Sequence, residues 1–82
     1  MRKWPDRYEA VIRAHCRFDD IAREIDPDES LALLGVGSME LISMIVDLEE
    51  TFVFQMPEEL MTPEVFGTPG ALWAALAAQL NL

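Results

Sequence analysis

Gly35–Phe52, G-V-G-S-M-E-L-I-S-M-I-V-D-L-E-E-T-F, constrains the fold of this chain more than any other stretch. Glycine loses the most backbone entropy in a helix, so Gly35 and Gly37 place a helix start at Ser38 and not before. From Ser38 onward there is neither Pro nor Gly until Pro57. A serine at a loop-to-helix junction can cap the helix by accepting from an unpaired backbone N–H, and it also presents a reachable hydroxyl. Both readings of Ser38 stay open on the motif alone. The helix carries two apolar stripes at three- and four-residue spacing. Leu41, Met44, Ile45, Leu48 and Phe52 make a broad core face, and Met39, Ile42 and Val46 make a second stripe interleaved with Glu40, Ser43, Asp47 and Glu50. One buried face suffices for a helix in so small a domain. The second stripe is then either a docking surface for a partner with basic residues around an apolar groove, or a second side wrapped by the bundle.

The remaining segments read as further helices. Pro5 suits a first helical position, with Asp6 and Glu9 at the positive end of the helix dipole. Tyr8, Val11, Ala14, Phe18, Ile21 and Ile25 then form a heptad-like seam, predicting one long helix to about Glu24 with a possible break near Cys16–Phe18. His15 falls off that seam, beside Arg13 and Arg17, and is expected to be a solvated surface group. Asp26-Pro27 ends the helix, because the residue before proline is pushed out of helical geometry. The long loop that follows is expected to be tacked down by Leu31, Leu33 and Leu34. Its D-x-D start fails as a calcium loop, with Leu31 where glycine is needed and Gly37 where a bidentate glutamate is needed. Pro57–Met61 can form a short helical turn, Thr62-Pro63 and Thr68-Pro69 each read as a capping threonine with proline at the first helical position, and Met61 is placed to staple onto Phe66. The last helix, from Pro69 to about Leu80, turns Leu72, Trp73, Leu76 and Leu80 inward, with Trp73 in the core or at the mouth of a pocket.

The same residues carry a family resemblance. G-V-G-S-M-E-L, followed by Met56-Pro57, resembles the G-x-D-S-L motif and recognition helix of acyl and peptidyl carrier proteins. Ile25–Leu31 resembles the loop upstream of that motif, and Phe66–Trp73 the start of the last helix. The resemblance implies an all-α, four-helix bundle of the acyl-carrier type: three main helices, a short third helix, and a long loop between helices one and two, all in a single freestanding domain over residues 1–82. It implies 4′-phosphopantetheine, drawn from coenzyme A and esterified to Ser38, whose thiol holds an acyl or aminoacyl group as a thioester. It further implies a docking surface of Gly37, Met39, Glu40, Ile42, Ser43, Val46, Asp47 and Glu50. Expected partners are a phosphopantetheinyl transferase, an acyl- or aminoacyl-loading enzyme, and downstream enzymes with basic docking surfaces, in a specialised polyketide or nonribosomal peptide-type pathway. Where the family usually has aspartate, this chain has Gly37, which offers the transferase neither a metal ligand nor a charge. That departure leaves an alternative: an unmodified, carrier-like acidic bundle acting as an interaction scaffold.

Composition bounds these readings. Eighty-two residues, 51% of them hydrophobic, suit one small globular domain. No run nears the ~20 apolar residues that cross a bilayer, and the first residues do not lead into a signal-peptide core. Cys16 is the single cysteine and fits a reducing compartment, so a cytoplasmic location is expected. The net charge of −9 divides unevenly, with all six basic residues at or before Arg23 and eleven carboxylates after it. Such a field argues against nucleic acid and anionic membrane as partners and favours basic protein surfaces; a monomer is expected. No catalytic constellation is visible: the one histidine has no serine poised against it, Glu49-Glu50 and Glu58-Glu59 diverge on a helix, and G-V-G-S lacks the lysine of a phosphate-binding loop.

Overall fold

The computed structural model describes residues 4–17 and 23–81. Among them the chain forms α1 (Asp6–His15), α2 (Ser38–Phe52), a single 3₁₀ turn (Glu58–Leu60), α3 (Pro63–Phe66) and α4 (Pro69–Gln79). The predicted all-α bundle is therefore present, with the short third helix divided between the 3₁₀ turn and α3.

The first helix ends at the earlier of the two points its sequence allows, at the expected break near Cys16–Phe18 and not at Glu24. Its pattern is broken at Cys16, which leaves helical geometry with ψ near 160°. The next backbone N–H, of Arg17, donates to Leu34 O in the long loop at 2.7 Å. That bond to the loop diverts the chain where an intrahelical bond would have continued α1. Within α1 the buried residues are Tyr8, Val11 and Ile12, while Ala14 is exposed. Phe18 and Ile21 lie outside the described residues.

The core forms where α1, α2 and α4 meet. Tyr8, Ile12, Met44, Leu48, Leu72 and Leu76 are fully enclosed, and burying side chains of this size contributes roughly 1.5–3 kcal/mol each. The Tyr8 hydroxyl donates to Pro69 O at 2.7 Å, tying α1 to the start of α4, and burial keeps its phenol protonated. Trp73 belongs to this core, its ring 5.0 Å from Tyr8 and 5.9 Å from Phe52 by centroid. Trp4 closes the same end, stacked edge-on against Tyr8.

The loop before α2 is held in place by Leu31 and Leu34, as expected, but Leu33 is 88% exposed. A helix-like turn spans this segment, with Leu34 N–H bonded to Leu31 O and Gly35 N–H to Ala32 O. In such a turn residues three apart share a face, which sends Leu33 outward. Val36, not predicted as core, replaces it there. Thr62 and Thr68 cap α3 and α4, accepting from Val65 N–H and Ala71 N–H. The start of α4 is locked to the loop by Gly70, whose N–H donates to Pro27 O at 2.9 Å.

Candidate functional site

Ser38 is the first residue of α2 and is exposed. The cap position is Gly37, in extended geometry (φ −84°, ψ −172°), and its carbonyl closes the first turn by accepting from Leu41 N–H at 2.8 Å. The capping reading of Ser38 is thus corrected. Its hydroxyl is one residue too far along to cap, and it makes no hydrogen bond among the described residues. Two anchors hold it at the surface. Val36 is buried two residues before it, with its N–H bonded to Leu31 O, and Leu41 packs against the core three residues after it. Gly35 allows the turn between these parts with φ of +92°, a left-handed geometry that favours glycine, and Arg17 methylenes lie 3.2 Å from where a Cβ would sit.

No side chain caps α2, so backbone N–H groups of its first turn lie beside the Ser38 hydroxyl without a side-chain acceptor. The positive end of a 15-residue helix dipole is concentrated there. A group joined to Ser38 through a phosphodiester would place its negative charge where these donors favour it. Open space surrounds the neighbouring position, with nothing within 4 Å of a Cβ built on Gly37. An apolar groove of about 560 Å³ borders the site between α2 and α3, walled by Val36, Leu41, Ile45, Met61 and Phe66. Trp73 is not among its walls, so of the two positions predicted for that ring the core is the one it takes. By surroundings, access and electrostatics, the residues present fit the prosthetic group.

The two stripes of α2 separate as the spacing predicts. Met44, Leu48 and Phe52 are buried and Leu41 and Ile45 pack on the core, whereas Met39, Ile42 and Val46 are 84%, 64% and 49% exposed. Gly37, Ser43 and Glu50 are exposed on the same side. Glu40 and Asp47 lie seven residues apart, nearly two turns, and so share the edge of α2 that faces α1. There they meet His15, whose Nδ1 is 2.5 Å from Glu40 Oε2 and whose Nε2 is 3.0 Å from Asp47 Oδ2. The expected solvated histidine is instead a clasp between helices, its side chain 13% exposed. Partial burial lowers its pKa, but bonding to Glu40 and Asp47 outweighs that, and the net shift is upward. Two acidic residues chosen from spacing as docking groups therefore already hold an internal partner. Cys16, beside this clasp, has its thiol pushed up to about 11 by burial and by the nearby Glu29 and Glu40, which leaves it unreactive.

A sequence profile described as "Phosphopantetheine attachment site" matches residues 9–76. The chain belongs to that family. Family members attach 4′-phosphopantetheine and are non-catalytic carriers, acting on none of the cargo themselves. Among curated proteins the chain is 25% identical over 76 residues to aminoacyl carrier protein 2 of Bradyrhizobium diazoefficiens, covering 93% of this chain and 85% of the relative. It is 28% identical over 61 residues to aminoacyl carrier protein 1 of that organism, covering 74% and 68%. Its fold matches a chain in the crystal structure of Bradyrhizobium japonicum glycine:[carrier protein] ligase complexed with cognate carrier protein and an analogue of glycyl adenylate. The TM-score is 0.72 at 22% identity, over 92% of this carrier and all of the other. A second match, in the complex of that ligase with glycylated carrier protein, has a TM-score of 0.68 over 87% and 99%.

Proposed function

We propose that Ser38 is the attachment residue and that this carrier transports an aminoacyl group. When bound, the prosthetic group supplies a terminal thiol that holds the cargo as a thioester. Ser38 Oγ is the tether and takes no later part in the chemistry. The uncapped first turn of α2 favours the phosphodiester, and Val36 and Leu41 keep the junction rigid while the hydroxyl stays outside. The apolar groove beside it, in preference to the filled bundle interior, can shelter a small cargo. Met39, Ile42 and Val46, with Gly37, Ser43 and Glu50, form the face offered to a phosphopantetheinyl transferase, to a loading ligase and to downstream enzymes.

One observation carries this reading: an exposed hydroxyl, with no hydrogen bond among the described residues, at the start of a helix whose outer face exposes Met39, Ile42 and Val46. Aminoacyl cargo is favoured over acyl by the names of the two curated relatives, and loading by an amino acid:carrier protein ligase is supported by the crystal complexes that share this fold. The setting in specialised biosynthesis, in a reducing cytoplasm, belongs to the same proposal.

Charging separates the cargoes. The modified protein is incubated with ATP, an amino acid and an amino acid:carrier protein ligase, and its intact mass is followed before and after hydroxylamine. A gain of one aminoacyl unit, released by hydroxylamine, supports the proposal. Charging only by an acyl-activating enzyme overturns the aminoacyl assignment. Failure of the preceding modification step, with the Ser38 hydroxyl left free, favours the scaffold alternative that Gly37 raises.

A further inference from the structure

The carboxylates of α2 are less available than their number suggests. Of the four, Glu40 and Asp47 are bonded to His15, and Asp47 also accepts from Thr51 Oγ1 at 3.3 Å. Glu49 accepts from Met56 N–H at 2.8 Å, which fixes the chain as it leaves the helix. Only Glu50 points outward without a hydrogen bond among the described residues, one turn beyond Val46 on the exposed stripe. We infer that His15 is a positioning residue that compensates Glu40 and Asp47 from within, so that the face α2 offers a protein partner is an apolar stripe of Met39, Ile42 and Val46 with Glu50 as its outward charge. The matching partner surface is apolar with a single cation opposite Glu50, not a basic patch matched to a row of acids. This rests on the reading of that face as the docking surface.

Charge and geometry support it together. Each imidazole nitrogen faces a different carboxylate, so the protonated ring donates to both while the neutral ring has one N–H for two acceptors. The groups facing the ring from α2 are Glu40 and Asp47. On the α1 side, Arg13 is engaged with Glu9 and with Arg23 O, and the Cys16 thiol is neutral. With the ring protonated, one positive charge sits between two negative ones and the edge of the face is nearly balanced. With the ring neutral, it still donates to one carboxylate, but its compensating charge is gone, and Glu40 and Asp47, with side chains 43% and 39% exposed, present unbalanced negative charge to an external cation.

The test uses a cationic probe in place of a natural partner. N-acetylated, C-amidated tetralysine, whose four charges stay the same over this range, is titrated at low ionic strength into the 15N-labelled full chain at pH 5.5 and pH 8.5, following the amides of Met39–Glu50, and the imidazole and carboxylate resonances are titrated separately. One added unit charge at contact distance in water changes binding by about fivefold. Wild type should bind tetralysine about fivefold more tightly on the alkaline side of the His15 imidazole titration than on its acid side, the higher pH being set beyond the observed midpoint. The substitution His15→Gln should give the tighter binding at both values, and His15→Lys, which keeps the charge without titrating, the weaker binding at both. A His15 resonance titrating at or below the ordinary imidazole value, or a wild-type affinity that does not change with pH, overturns the inference. None of these readouts uses the attached arm, so a failed charging assay and a failed titration are separate results.

Discussion

Gly37→Asp tests the junction at Ser38 by restoring the family's usual residue. Gly37 is the cap of α2, in an extended conformation that any residue adopts, with no side-chain cap and open space around its missing Cβ. Aspartate there should stabilise the fold through three contributions. Its carboxylate caps a first-turn N–H, worth a few tenths of a kcal/mol relative to glycine. Its charge meets the positive end of the helix dipole, worth about 0.3–1 kcal/mol. Leaving glycine narrows the unfolded ensemble, worth about 0.4–1 kcal/mol. Against these stands repulsion from Glu40, three residues on, of roughly 0.2–0.5 kcal/mol. The net is about 1 kcal/mol, which for a domain of this size raises Tm by about 4–8 °C. Gly37→Asn separates the parts, since it keeps the cap and removes the charge. Thermal unfolding at pH 7 and low salt should rank Asp above Asn above Gly. An aspartate variant melting at or below wild type would refute the account of an uncapped helix end with room for a side chain. The same variant should also be modified faster by a transferase that uses the motif carboxylate.

Three further outcomes can be read from unfolding curves. Val53 ends α2 in the left-handed region (φ 53°, ψ 61°) with its side chain in solvent; a conformation costing a β-branched residue about 1–2 kcal/mol should make Val53→Gly stabilising by about 0.5–1 kcal/mol after glycine's own entropy is counted, read as a higher urea midpoint. At Gly70 an alanine Cβ would lie 2.9 Å from Pro27 O, a backbone atom that cannot swing aside. Overpacking of about 1–3 kcal/mol should outweigh the helix-propensity gain of at most about 1 kcal/mol, so Gly70→Ala should unfold at lower urea. For His15 the folded pKa lies above its ordinary value, so the clasp stabilises fully below the unfolded value of about 6.5 and its contribution fades as pH rises through the folded value. His15→Gln should therefore cost about 1 kcal/mol near pH 5.5 and little at alkaline pH; an equal cost at both values would mean the histidine acts by packing alone.

The legible parts of this molecule are those written in local spacing. The start of α2, its two stripes, the Thr62-Pro63 and Thr68-Pro69 junctions and the core position of Leu72 and Leu76 all follow from neighbours within four residues. The motif around Ser38 was legible as a site because glycines on both sides of Val36 fix where the helix begins. What the residues did not disclose depends on contacts across the chain. His15 looks like a surface residue on its own helix, and its role depends on carboxylates 25 and 32 residues away. For the end of α1 the sequence offered two points, a break near Cys16–Phe18 or continuation to about Glu24, and a bond from Arg17 to Leu34, which no periodicity encodes, selects the first. Leu33 shows the converse: three leucines in four residues look alike in sequence, and the turn geometry decides which two are buried. The paired clasp had one available signal, the seven-residue spacing of Glu40 and Asp47 on the edge of α2, which placed both acids on one line facing whatever packs there.

The account depends most on the Ser38 hydroxyl being the point where the carrier is armed. Incubation of the full chain with coenzyme A and a phosphopantetheinyl transferase, followed by intact mass and fragment mapping, tests this directly. The predicted result is one phosphopantetheine per chain, located on Ser38 and lost in Ser38→Ala. Addition at another residue, or none with transferases that modify other carriers and with one from the same pathway, contradicts it.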